Sequence, residues 1–266
     1  MTFRSSLKQY AQTLTKPVKR TLKRYSLVMG LLLIIFLGIK VVNTARLCLA
    51  NQPSDIQEVP PENMYTDAWK QTIGYWKRNL DVGGSYFLNP LGLSHIFLSA
   101  YDQTNSNFFD HYARGAGEVW GYLATISVHG ALESTGALLM TIAGLLFWIS
   151  IILAIWLALM TITKKVVSRI SIPVKKISLH IIQFSKDFIV LILVGIALII
   201  VAGPIEAYIS WPHILPAFTG HLWASLVYLA FLFLLIAWIF FIQLGGYGQM
   251  KRAGKSAKLL IKRLRN

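Results

Sequence analysis

The sequence predicts an all-α, polytopic membrane helix bundle with four firm transmembrane spans and a broken, re-entrant or interfacial element before the second. Three observations predict it. Four long apolar runs read as Leu27–Val42, Ala137–Ile162, Phe188–Ala202 and Leu222–Leu244, each close to the length that crosses roughly 30 Å of hydrocarbon once flanking turns are included. Basic residues gather beside those runs, and four crossings place all the basic blocks on one side. The acids gather on the other side, between the first and second runs.

Composition excludes the common soluble classes. With 55% apolar residues in 266 and a mean hydropathy of +0.55, the chain is too apolar for an ordinary soluble domain and for a disordered one. The net charge of +15 suggests nucleic acid at first sight, but its distribution does not. Arg4, Lys8, Lys16, Lys19, Arg20, Lys23 and Arg24 precede the first run. Lys164, Lys165, Arg169, Lys175, Lys176 and Lys186 separate the second from the third. Lys251, Arg252, Lys255, Lys258, Lys262, Arg263 and Arg265 follow the fourth. Blocks beside spans meet the anionic headgroups of the bilayer, whereas a nucleic-acid surface sets base-reading or stacking groups beside its cations. No nucleic-acid partner is expected. The positive-inside rule makes the basic side cytoplasmic, with both termini there, in a multi-pass protein of the cell inner membrane.

In chain order, 1–25 reads as a basic cytoplasmic segment whose Leu7, Tyr10, Ala11, Leu14 and Val18 suit an amphipathic surface helix interrupted at Pro17. Residues 26–48 form the first span. Lys40 lies inside it; its stem can snorkel outward along the face of Asn43 and Arg46, or it can turn inward and pair with an acid. Snorkelling is the simpler account. Cys48 is the chain's one cysteine, so an intramolecular disulfide and a Cys-based zinc site are excluded. Arg46, Leu47 and Leu49 around it do not make a lipobox, so span one is a retained anchor.

Residues 49–116 form the outer segment. Pro53, Pro60 and Pro61 mark a linker, and 64–81 has the apolar spacing of an interfacial helix with its tryptophans at headgroup level. Asp81-Val82-Gly83-Gly84 is expected to break it. Phe87 to Tyr101, interrupted by Asn89-Pro90 and His95, is too short and polar to span and reads as re-entrant or interfacial. The stretch to Gly117, with Asp110, His111 and Arg114, is polar. From Glu118 to Ile162 one straight helix would be roughly 65 Å long. A break at Val128-His129-Gly130 is therefore expected, with a short helix over 117–128 that enters or skims the outer leaflet.

Residues 117–245 read as the membrane core. Gly203-Pro204 is a candidate helix break in the third span, and Trp211-Pro212 with Gly220 forms the next turn. Gly245-Gly246-Tyr247-Gly248 stops the fourth span before a basic cytoplasmic tail, 246–266, that can lie on the surface as a helix. Gly136, Ala137, Ala143 and Gly144 allow close helix packing within the chain or between copies, so a homo-oligomer is open.

Glu133 and Glu206 are the costly residues, because a carboxylate at membrane depth costs several kcal/mol unless paired. Glu133 follows His129 by one helical turn, and Glu206 falls at the same outer level. His129, Gly130, Glu133 and Glu206 are the candidate polar membrane site; His95, His111, His213 and His221 fall on that side too. The cluster can satisfy a helix break by hydrogen bonding. It can also organise helices around a re-entrant element, or it can bind a metal or move protons. A metal site would need Glu206 or His95 as a third ligand. No H-E-x-x-H, G-x-S-x-G or G-x-x-x-x-G-K-[ST] motif occurs, and no catalytic residue, cofactor or metal is assigned.

Gly117-Glu118-Val119-Trp120 through Ser127-Val128-His129-Gly130-Ala131-Leu132-Glu133-Ser134 resembles the HGxxE segment of the stage II sporulation protein M family. Lys186-Asp187, opening a span that ends Gly203-Pro204-Ile205-Glu206-Ala207-Tyr208-Ile209, resembles that family's Ile-Glu-(Ala/Gly)-aromatic ending. The family usually carries one or two further spans before HGxxE, which 93–115 is too polar to supply. The resemblance implies a non-enzymatic multispan protein, a scaffold that positions envelope-remodelling partners through its outer segment. A transporter or channel component using His129, Glu133 and Glu206 is the alternative, and a metal-dependent membrane hydrolase the second.

Overall fold

The computed structural model describes residues 3–50, 67–90, 92, 94, 97–98, 100–102, 117–125, 129–166 and 174–265, with side chains from Thr15 onward, to Thr163 before the gap at 167–173, and to Lys258 in the tail. Every element among them is helical: α1 (Phe3–Ala50), α2 (Ala68–Leu88), α3 (Glu118–Thr125), α4 (Ala131–Val166), α5 (Val174–Ile205), α6 (Leu222–Ala237) and α7 (Gly246–Arg265). A π-helix, Glu206–Ile214, continues α5 into the short turn Leu215–Phe218. A second, Trp238–Gln243, continues α6. Thr15–Ala50, Ala131–Thr163, Val174–Phe218 and Leu222–Gln243 are long and apolar enough to cross a membrane, so the chain is a four-span all-α membrane protein. The end carrying Lys23, Arg24 and α7 is called the basic end below.

The antiparallel pair α4 and α5 is the spine of the bundle. Gly136 and Gly195 face each other there, and a Cβ on either would lie 2.8 Å from the other's carbonyl oxygen. Bare backbone is what allows this approach. The small residues of the second span thus pack within the chain: Gly144 sits on the backbone of Phe87, and Ala143 is fully buried. Ile152, Leu159 and Ile162 further along α4 stay exposed, as suits a lipid-facing surface.

Helix α2 departs from expectation in its length. It is not broken at Gly83-Gly84; it runs unbroken to Leu88 against α4 and α5. Asp67 caps its start by accepting from the Lys70 N–H at 3.0 Å. The Trp76 indole N–H donates to the Ile200 carbonyl at 2.8 Å, Gly83 lies on Met140, and the Phe87 ring meets Phe147 and Phe188 at 5.8 and 5.7 Å between centroids. Two glycines end a helix when water competes for the backbone. Here Gly83 is pressed against a neighbour, so the same residue serves close packing.

From Asn79, beside Glu133, to Phe87, beside Gly144, α2 advances by eight residues of its own along α4, roughly 12 Å. The chain then turns at Asn89-Pro90, where the Gly92 N–H reaches the Asn89 carbonyl at 2.9 Å. It returns to the far end of α1. There Asn43 donates to the Tyr101 carbonyl at 3.4 Å and Arg46 to the Tyr101 hydroxyl at 3.1 Å. Entry and exit on one end make the described residues of this stretch a helical hairpin.

One further expectation is corrected. Pro17 does not interrupt the N-terminal segment; it sits within α1, which is continuous over 48 residues. Helix α3, described over Glu118–Thr125, packs inside the protein. Val119, Gly121, Tyr122, Leu123 and Ala124 are buried, with Gly121 against the Leu215 carbonyl and the Trp120 carbonyl accepting from the Ser225 hydroxyl at 3.0 Å. The linker prolines, His95, His111 and Val128 lie outside the described residues.

At the basic end, Asp187 is 2% exposed and ties α1 to α5. It pairs with Arg24 and accepts from Thr21, Tyr25 and Gln183, each at 3.0 Å. These donors are what make a buried carboxylate tolerable.

Substituting the glycines checks the packing. Gly195→Val is expected to lower stability by about 1–3 kcal/mol through overpacking. Gly84→Ala, which meets open space inside a helix, should raise it by about 0.5–1 kcal/mol. Thermal unfolding of the detergent-purified protein reads both.

Candidate functional site

The far end of the bundle gathers three of the four candidate residues' side chains. His129 and Gly130, both buried, form a π turn that leads directly into α4, and Glu133 follows one turn later. Glu206 comes from the other side, as the first residue of the π-helix after Pro204. One nitrogen of His129 and one oxygen each of Glu133 and Glu206 lie within 4.8 Å of one another.

The path past Gly203-Pro204 explains how Glu206 arrives there. Proline has no N–H to give the preceding turn, and the helix does not stop. It widens instead into i→i+5 turns, a form often found at functional sites. In that geometry Trp211 sits five residues on, over Glu206, and its indole N–H donates to Glu206 Oε1 at 3.2 Å. Gly203 packs on the Trp76 indole, and a Cβ there would stand 2.6 Å from Nε1. A side chain at 203 would thus dislodge the hydrogen bond that holds α2.

Helices α1 and α2 supply the cations and a further donor. Arg78 Nη2 lies 3.6 Å from Glu206 Oε1, and Asn79 donates its amide to Glu133. Lys40 has not snorkelled to the surface: it is half-buried, with Nζ 5.1 Å from the Phe36 ring centroid, and acts electrostatically on both carboxylates. Two acids therefore face two cations. Lys40, Arg78 and Asn79 are the residues that sequence reasoning left out of the site. Lys40 carried a signal, as a charge within a span; Arg78 and Asn79 carried none while α2 was placed at the interface.

The pairing is incomplete. His129 Nε2 stands 3.8 Å from Glu206 Oε1, beyond hydrogen-bond range. Among the described residues, His129 Nδ1, Glu206 Oε2 and Ser210 Oγ are buried without a hydrogen-bond partner. One imidazole and two carboxylates are a donor set that suits a zinc- or manganese-like ion, although Arg78 and Lys40 already compensate the acids. His213 and His221 are exposed and stand apart from the cluster.

No protein-family model, curated protein or solved structure matches the chain.

A double-mutant cycle measures the Arg78–Glu206 contact. Glu206 is 2% exposed but the Arg78 side chain is 61% exposed, so Arg78→Met should cost about 2 kcal/mol, less than a fully buried pair would. Adding Glu206→Gln should recover most of that loss in thermal unfolding; additive losses would show that the pair does not couple.

Proposed function

We propose that this multispan membrane protein is a scaffold that assembles envelope-remodelling partners, presenting its outer segment on a rigid re-entrant hairpin. The observation that carries the reading is the internal charge balance of the buried cluster. Glu133 and Glu206 face Arg78 and Lys40, so the cluster ties the hairpin to the spans. A buried ionic lock of this kind adds little net stability, and its use is to fix one arrangement over others. The resemblance to the stage II sporulation protein M family belongs to the same proposal, since the two segments that carry it contribute the acids of one cluster. Partner contacts are assigned to 51–66 and 103–116, the stretches that flank the hairpin in sequence.

A second reading, a transporter or channel component, is favoured by the unpartnered buried atoms His129 Nδ1 and Glu206 Oε2, which leave sites for a proton or a cation. The two readings separate cleanly. Replacing 51–66 and 103–116 with Gly/Ser linkers of equal length, leaving the hairpin intact, should abolish co-purification of cross-linked partners from native membranes; unchanged co-purification overturns the scaffold reading. Glu133→Gln, which unbalances the lock, should weaken co-purification, whereas under the second reading it leaves co-purification intact and abolishes flux in reconstituted vesicles.

We also propose, from the charge asymmetry, that the chain sits in the inner membrane with both termini cytoplasmic. Cys48, near the far end of α1, should then react with a membrane-impermeant maleimide applied from outside. Reaction only after permeabilisation would reverse the orientation.

A further inference from the structure

At the basic end, a groove of about 1060 Å³ opens between α1, the last turns of the fourth span and the start of α7. Its wall is apolar and aromatic, with Leu234, Trp238 and Ile242 from the fourth span and Tyr247 from α7, all exposed. Two cations, Lys23 of α1 and Arg252 of α7, complete it, and none of the residues lining it is acidic.

The groove is held open by specific contacts. Gly245, with φ +79, ends the π-helix and redirects the chain, a conformation that favours glycine. The next turn is pinned to α1 by one side chain: Gln249 accepts from the Leu27 N–H at 3.3 Å and donates to the carbonyls of Arg24, at 3.1 Å, and Lys23. The Ser26 hydroxyl adds a bond to the Leu244 carbonyl at 3.2 Å. Lys23 is thereby set beside Gly245, its Cε 3.4 Å from where a Cβ would stand, and Arg252 lies across the same opening.

We propose that this groove binds an anionic glycerophospholipid, its phosphate between Lys23 and Arg252 and an acyl chain along Leu234 to Ile242. Cations at the mouth of an apolar cleft between membrane helices match that amphiphile. Trp238 and Tyr247 match the boundary between its headgroup and chains. A soluble phosphate would use the cations and leave the wall bare. The site is independent of the scaffold reading, since it lies at the other end of the bundle from His129, Glu133 and Glu206.

The test uses the full chain reconstituted in vesicles containing brominated phosphatidylglycerol or, separately, brominated phosphatidylcholine. Quenching assigned to Trp238 is taken as the difference between the native chain and Trp238→Phe. Brominated phosphatidylglycerol should quench Trp238 in strong preference to phosphatidylcholine. The double variant Lys23→Gln/Arg252→Gln should reduce that preference about tenfold or more, while Lys255→Gln/Lys258→Gln on the same tail should leave it. Equal quenching by both lipids in the native chain means ordinary annular contact and overturns the proposal. So does a preference untouched by the double variant, or one abolished by millimolar inorganic phosphate, which points to a soluble anion. Protection of Trp238 from both lipids overturns it too, because a protein then fills the groove.

Discussion

Two carboxylates held at membrane depth constrain everything around them. Glu206 is almost fully buried and Glu133 stands beside it, and such charges persist at that depth only with compensating cations and hydrogen-bond donors close by. Neither α4 nor α5 supplies the cations. They come from α1, through Lys40, and from α2, through Arg78, with Asn79 adding a donor. Helix α2 must therefore enter the bundle. Once it does, Trp76, Gly83 and Phe87 follow it down the α4–α5 groove, and the chain must turn back at Asn89-Pro90.

The bundle is fastened by charge at both ends and by close packing between them. Asp187, with Arg24, Thr21, Tyr25 and Gln183, ties α1 to α5 at the basic end. The cluster around Glu206 ties α2 and α1 to the spine at the other. Between them Gly136, Gly195 and Gly144 let backbones meet, where apolar side chains alone would gain little because lipid is equally apolar. Polar locks with small-residue contacts suit a solvent in which the hydrophobic effect does not drive helix against helix.

Parts of this arrangement were legible in the sequence, for reasons visible in particular residues. The length of the apolar runs revealed the spans, and the charge of Glu133 and Glu206 marked them as residues needing partners. The long apolar stretch after Glu118 suggested a break near His129; the described residues there, His129 and Gly130, form a π turn that runs on into α4. Gly83-Gly84 misled, because a glycine pair marks a helix end in water but a close contact in a packed interior. Pro17 misled in the same way, since it sits within α1; after Pro204 the α-helix gives way to π turns that set Trp211 over Glu206.

By itself the sequence determined an all-α membrane protein with four spans. Hydrocarbon thickness and the absence of water in it are read by composition and run length alone. Only the tertiary structure decided the path of α2 and the identity of the cluster's partners. Asn79 meets Glu133 across 54 residues and Arg24 meets Asp187 across 163, and nothing local selects such pairs. They are chosen by which helix faces come together, and that depends on the packing of the whole bundle.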